Sequence, residues 1–201
     1  MSTAPHLQLT AENHLSSREA RWFAVYTNYK REKLVAKRLK GKGIEYFLPL
    51  QQFTRRYTRK IKHVELPLIN CYIFVKITKQ EYVRVLETDD VLKFVRFSRN
   101  LISIPEQEIN ILRRIIGEGI EVEAEPGKFA TGDEVEIISG HLTGLRGTLM
   151  ERRSEKNFVV ELENLGYSLK MQLDPALLQR VRPGAAKSDN AHKTGAFNRY
   201  L

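Results

Sequence analysis

Five histidines, one cysteine and a glycine-rich turn are the residues of this chain best suited to chemistry. None of them forms a reactive constellation. His6, His14, His63, His141 and His192 are scattered, and no two are spaced to share a metal on one helix face. Cys71 sits in an apolar run and reads as a small buried residue rather than a nucleophile. A single cysteine also excludes an internal disulfide framework and a cysteine-based zinc cluster. Gly140-His141-Leu142-Thr143-Gly144-Leu145-Arg146-Gly147 has the glycines of a phosphate loop. It lacks the Gly-Lys-Ser/Thr ending and opens no helix, so it reads as tight turns between strands. There is no G-x-S-x-G elbow. The expectation is a protein that is not an enzyme, with no catalytic residue, no metal and no cofactor.

Contact with a polyanion is the chemistry the residues do favour. The 201 residues carry 33 Lys+Arg against 24 Asp+Glu, a net charge of +9. The excess is local: residues 18–117 hold 22 basic and 10 acidic residues, whereas residues 118–182 hold 8 and 12. Such asymmetry implies two domains with different partners. Within the basic part, Lys and Arg interleave with Tyr29, Phe53 and Tyr57. That pattern suits a phosphate backbone with bases stacked on exposed rings, or simply a solvated face. No apolar run approaches the ~20 residues that a membrane helix needs, and Met1 to Ser17 has no apolar signal core. A cytoplasmic protein with no membrane contact is expected.

The elements that must position these residues follow from periodicity. Trp22 to Thr27 is an apolar, aromatic strand. Asn28 is placed to cap a basic helix running to about Lys40, which Gly41 and Gly43 stop. Tyr46 to Leu50 is a strand. Arg55, Arg56, Arg59, Lys60 and Lys62 mark the basic tip of a hairpin that returns near Val64 to Leu68. Cys71 to Val75 is the strongest strand signal. Thr78 and Glu81 form a capping box for a short helix with Tyr82, Val85 and Leu86 inward. Val91 to Phe97 is a strand, and Pro105 opens a helix carrying Ile109, Leu112 and Ile116.

Residues 118–128 read as an acidic linker ending in Pro126-Gly127. Beyond it, Val135 and Ile137, then Phe158, Val160 and Leu162, then Leu169, Met171 and Leu173 alternate with polar neighbours. Short period-two strands separated by Gly and Asn turns predict a small barrel. The expected fold class is α+β. An α/β sandwich with an antiparallel sheet spans residues 18–117 and a β-barrel spans 129–182. Residues 1–17 and 183–201 are expected to be disordered. The strands hold an aromatic surplus: Trp22, Phe23, Tyr26, Tyr72, Phe74, Phe94 and Phe97. It fits a core and an exposed apolar groove equally well.

Trp22 to Thr27, the basic helix, Pro67 to Val75 and Val91 to Phe97 resemble the N-terminal domain of NusG-type transcription elongation factors. Gly132 to Ile137 followed by Ser139 to Gly147 resembles a KOW motif, the mark of that family's C-terminal barrel. The strand ending in Phe74-Val75 and the run Lys93-Phe94-Val95-Arg96-Phe97 look most like the specialised RfaH and UpxY antitermination branch. Where that family has Pro-Gly or Pro-Asn before the strand tyrosine, this chain has Asn70-Cys71. The His-Thr-Thr motif that RfaH uses on the polymerase gate loop falls on Glu81-Tyr82-Val83-Arg84, a poor match.

The resemblance implies a specialised factor that binds the clamp of bacterial RNA polymerase, suppresses pausing or termination, and regulates long operons such as those for exopolysaccharide or capsule. Tyr26, Ile69, Tyr72, Phe74 and Phe97 align with the clamp-binding groove. Asn28, Tyr29, Lys30, Arg31 and Arg38 align with the face that meets the non-template DNA strand. Leu142, Leu145 and Leu165 align with the barrel's contact to Rho or to a small-subunit ribosomal protein. As turn-proximal leucines they fit a core equally well. A stable barrel is expected, not one that switches to helices. A monomer suits a domain that slots into a larger machine. The alternative is a KOW-domain protein that binds RNA or the ribosome without polymerase.

Overall fold

The computed structural model describes residues 11–57, 60–97, 99–117, 120–126, 132–152, 155–162 and 164–181. Strands β1 (Arg21–Thr27), β2 (Glu45–Phe47), β5 (Tyr72–Ile77) and β6 (Val91–Phe94) form an antiparallel sheet in the order β2-β5-β1-β6. Strands β3 (Leu50–Tyr57) and β4 (Lys60–Pro67) form a separate two-stranded hairpin. Its basic tip residues, Arg55, Arg56, Arg59, Lys60 and Lys62, lie outside the described side chains.

Period-two alternation gives the four-stranded sheet two apolar faces. Phe23 and Val25 of β1, with Ile73, Val75 and Ile77 of β5, face helix α1 (Glu32–Gly41) through Val35, Ala36 and Leu39. The short helix α2 (Tyr82–Leu86) adds Val85 to that layer. Leu86, expected inward, is exposed. Trp22, Ala24, Tyr72 and Phe74 point the other way, toward Ile109, Leu112 and Ile115 of α3 (Glu106–Gly117). Both faces of the aromatic strands are therefore buried, the second by elements that follow later in the chain.

The capping box before α2 forms as expected: the Thr78 amide and hydroxyl both donate to Glu81 Oε2 at 2.9 Å. Asn28 does not cap α1. Lys30 adopts a left-handed φ of 61° between Asn28 and the helix, and Asn28 Nδ2 donates to Asp90 instead, at 3.1 Å. Strand β6 ends at Phe94 rather than Phe97, although the Val95 amide still donates to the Ala24 carbonyl at 2.9 Å. Residues ahead of 18 also pack on the sheet. The His14 amide donates to Leu101 O at 2.9 Å, and Leu15 packs against the α1 layer.

Cys71 adopts φ of 62°, the left-handed region that glycine favours. Its amide donates to Glu32 Oε1 at 2.8 Å, with Glu32 buried in the first turn of α1. The turn entering β5 thus keeps a glycine-like backbone without a glycine. Cys71→Gly is expected to raise stability by about 0.5–1 kcal/mol, relief of left-handed strain less the added chain entropy. Cys71→Val is expected to lower it. Urea midpoints of the two variants check this.

Trp22 is held by a cluster of charged groups. Its Nε1 donates to Glu106 Oε2 at 2.7 Å, and Lys76 and Arg113 each pair with Glu106 at 3.2 Å. Both cations also lie over the indole, 5.7 and 5.3 Å from the ring centroid. Burial pulls the Glu106 carboxyl upward. The Trp22 and Lys76 hydrogen bonds outweigh it and hold the group below its ordinary value. A depressed carboxyl adds stability above its unfolded pKa of about 4.3, lost as pH falls through the lower folded value. The thermal midpoint is expected to fall below about pH 4, and Glu106→Gln to flatten that part of the profile.

The C-terminal part is one antiparallel sheet of six strands in the order β12-β8-β9-β10-β11-β7. These are β7 (Val122–Pro126), β8 (Asp133–Ile137), β9 (Arg146–Arg152), β10 (Glu155–Leu162), β11 (Tyr167–Gln172) and β12 (Leu178–Arg180). Among the described residues no pairing joins β12 to β7, so the sheet is open where a closed barrel was expected. Strand β7 lies within the stretch expected as a linker. Val122 alternates with Glu121 and Glu123 and turns inward, and the strand pairs with β11 from Val122↔Met171 to Pro126↔Tyr167. The glycine-rich segment makes tight turns, as expected: Gly140 and Gly144 have φ of 81° and 82°.

Candidate functional site

Tyr26, Ile69, Tyr72, Phe74 and Phe97 come together on the α3 side of the four-stranded sheet. Strand pairing sets Tyr26 opposite Tyr72. Tyr72 Oη donates to Tyr26 Oη at 2.6 Å, and the rings meet edge to face at 4.6 Å. Phe74 stacks on Phe47 at 6.1 Å and is fully buried. Ile69 and Tyr72 are buried as well, whereas Tyr26 and Phe97 are half-buried. Lys93 Nζ lies 5.6 Å from the centre of the Tyr26 ring.

This face is covered by the C-terminal sheet. Tyr167 packs edge to face on Tyr72 at 5.4 Å. Burial, with hydrogen bonds to Tyr26 and Tyr167, pushes the Tyr72 hydroxyl well above the ordinary tyrosine range. Burial raises Tyr167 as well. Leu142, Leu145 and Leu165 are 4 %, 6 % and 3 % exposed and belong to the same apolar cluster as Tyr72 and Phe74. Polar contacts flank the apolar ones. Glu108 Oε1 accepts from the Asn164 amide at 3.0 Å and from Asn164 Nδ2 at 2.6 Å. Arg114 Nη2 donates to the carbonyls of His141 and Thr143 at 3.0 and 2.9 Å.

A second, polar surface lies at the entry to α1. Tyr29 is 65 % exposed, with Lys30 Nζ 5.0 Å from its ring centre and Arg31 exposed beside it. Asn28 and Arg38 are engaged by the turn between α2 and β6. Asp90, with φ of 69°, accepts from Asn28 Nδ2 and from Arg38 Nη1. Arg38 Nη1 also donates to the Asp89 carbonyl at 2.9 Å. The Asn28 hydrogen bond and then the Arg38 one hold the Asp90 carboxyl below its usual range. An exposed ring beside exposed cations can stack on a base and meet its phosphate, and Arg31 is held only loosely, its Nε 4.0 Å from Asp90 Oδ1. A guanidinium already paired with a carboxylate is less available for that.

Residues 20–113 match the family described as "Transcription termination factor nusG". That stretch is similar to the domain of that family. Among solved structures the chain is similar to "Domain interaction in Thermotoga maritima NusG", with 21 % identity and a TM-score of 0.52. That match covers 83 % of this chain and 100 % of the other. It is also similar to conformations A and B of the MjSpt4:Spt5 complex, each at 20 % identity and a TM-score of 0.28. Those matches cover 80 % and 81 % of this chain and 97 % of each Spt4:Spt5 chain. At such identities the Thermotoga likeness shows the fold. No curated protein matches the chain.

Within the matched stretch Tyr26, Ile69, Tyr72, Phe74 and Phe97 form one face, and Asn28, Tyr29, Lys30, Arg31 and Arg38 form a separate charged end. Glu108, Arg114, Asn164, Tyr167 and Asp90 take part in these surfaces and were not legible as such. Their partners lie 27 to 95 residues away in sequence, which no local pattern encodes. Among the described residues no group of three or more His, Cys, Asp or Glu is placed to hold a metal, and no helix is long and apolar enough to cross a membrane.

Proposed function

We propose that this protein is a transcription elongation factor that binds bacterial RNA polymerase through the face built by Tyr26, Ile69, Tyr72, Phe74 and Phe97. The observation that carries this reading is the gathering of those five side chains into one apolar surface of the matched stretch. The occupant is the clamp helices of the large polymerase subunit. A ligand that prefers the closed clamp shifts its population toward closure and disfavours pausing. Tyr29, Lys30 and Arg31 meet the displaced non-template strand by stacking and charge. Asn28 and Arg38 support that end through Asp90. The C-terminal sheet, with Gly132 to Gly147 as a KOW motif, recruits Rho or a small-subunit ribosomal protein through Leu142, Leu145 and Leu165. The N-terminal domain spans residues 18–117, β7 joins the C-terminal sheet that residues 129–182 complete, and the factor works in the cytoplasm as a monomer. The resemblance to the RfaH and UpxY branch makes it a specialised antitermination factor for long operons such as those for capsule or exopolysaccharide.

The sheet over the face means that polymerase binding requires it to lift. Stalled bacterial elongation complexes mixed with the purified protein test the reading by native-gel shift and by pause lifetime. A shifted complex with shortened pauses is expected. Binding to structured RNA or ribosomal subunits, with none to polymerase, would move the reading to the RNA-binding alternative.

A further inference from the structure

A cavity of about 390 Å³ opens on the strands β10, β11 and β7, and its lining includes none of Leu142, Leu145 and Leu165. Its polar lining is Glu121, Glu123, Asn157, Lys170 and Gln172. Strand register builds it. On one face of the sheet Asn157 pairs opposite Gln172, and Lys170 opposite Glu123. Glu121 lies two residues before Glu123 and shares that face by alternation. The charges do not balance. Lys170 Nζ meets Glu123 Oε2 at 3.1 Å, whereas Glu121 has no ion pair among the described residues. The recess therefore carries a net negative charge. Asn157 is 5 % exposed, and among the described residues its side-chain amide has no hydrogen-bond partner. Such a group is costly unless something entering the recess supplies the bonds.

We propose that this recess is a peptide-docking site, where an extended basic segment of a partner protein adds to the edge of β7 and places an arginine against Glu121 and Glu123. Strand β7 is the last of its sheet, so among the described residues its outer N–H and C=O groups face no strand. Strand addition there satisfies the main chain of the incoming segment, and its alternate side chains then lie on the side of Glu121 and Glu123. A guanidinium presents five donors in one plane. The two carboxylates and the carboxamide oxygens of Asn157 and Gln172 are the acceptors it needs. A polyanion is disfavoured at the same place. Two carboxylates line the opening, within residues 118–182, which hold 8 basic and 12 acidic residues. The site works whether or not the face at Tyr72 binds polymerase.

The test titrates the full 15N-labelled chain with an acetylated, amidated Thr-Arg-Thr-Arg-Thr peptide and, separately, with Thr-Glu-Thr-Glu-Thr. The basic peptide is expected to shift the amides of Glu121, Glu123, Asn157 and Gln172 saturably, and the acidic one to leave them in place. Glu121→Gln and Asn157→Ala are each expected to weaken the basic peptide about tenfold. Glu121 is exposed, so its variant keeps the fold and carries the test if Asn157→Ala fails to fold. No saturable shift with the basic peptide would overturn the site. So would equal binding of the acidic peptide, or undiminished binding by Glu121→Gln. An oligothymidylate that shifts the same amides would overturn it in favour of nucleic acid.

Discussion

Phe74→Ala is expected to unfold the N-terminal α/β part or bring it to the edge of unfolding. Phe74 lies in the central part of the sheet, opposite Ala24 across β1 and stacked on Phe47, with no exposure. Truncating such a ring loses its transfer energy and leaves a cavity, a cost of about 3–5 kcal/mol. A domain of this size holds roughly 5–15 kcal/mol in total. The urea midpoint should fall steeply, with loss of near-ultraviolet circular dichroism at 37 °C. Leu92→Ala is the contrast: Leu92 is 58 % exposed, and its removal should stay within about 0.5 kcal/mol of wild type. Phe74 therefore builds the face but is a poor probe of binding, because its loss removes the platform along with the contact.

Tyr26→Ala/Phe97→Ala is the variant that separates binding from folding. Both side chains are half-buried and pack against the cluster from its edge. Aromatic anchors at the centre of an interface typically cost 2 kcal/mol or more on truncation. For the pair, a loss of at least ~thirtyfold in polymerase affinity is expected, with the fold retained by circular dichroism. The direction is diagnostic. The same substitutions also weaken the seat of the C-terminal sheet, which by itself would raise binding. A fall in affinity can only mean that the rings touch the polymerase.

The strands of the four-stranded sheet were legible because local chemistry sufficed. Trp22 to Thr27 and Tyr72 to Val75 are aromatic and β-branched, and the alternation in each fills two faces. The capping box of Thr78 and Glu81 lies within four residues and forms as read. Asn28 was misread because its partner, Asp90, is 62 residues away and competes with the helix terminus for the same side chain. The strand Val122–Pro126 was hidden by its glutamates, which look like a solvated linker until β11 supplies the pairing partner. Tyr26, Ile69, Tyr72, Phe74 and Phe97 were singled out only through the resemblance. Composition could not separate an exposed apolar face from a core, and here the C-terminal sheet makes that face part of a core.

The central claim is that the face around Tyr72 contacts the polymerase. A photo-crosslinking side chain placed at Phe97 of the full chain, irradiated in a complex with bacterial RNA polymerase, tests it most directly. The account predicts an adduct to the clamp helices of the large subunit, absent when the same group is placed at exposed Leu92. A bound complex that gives no adduct from position 97 would contradict it.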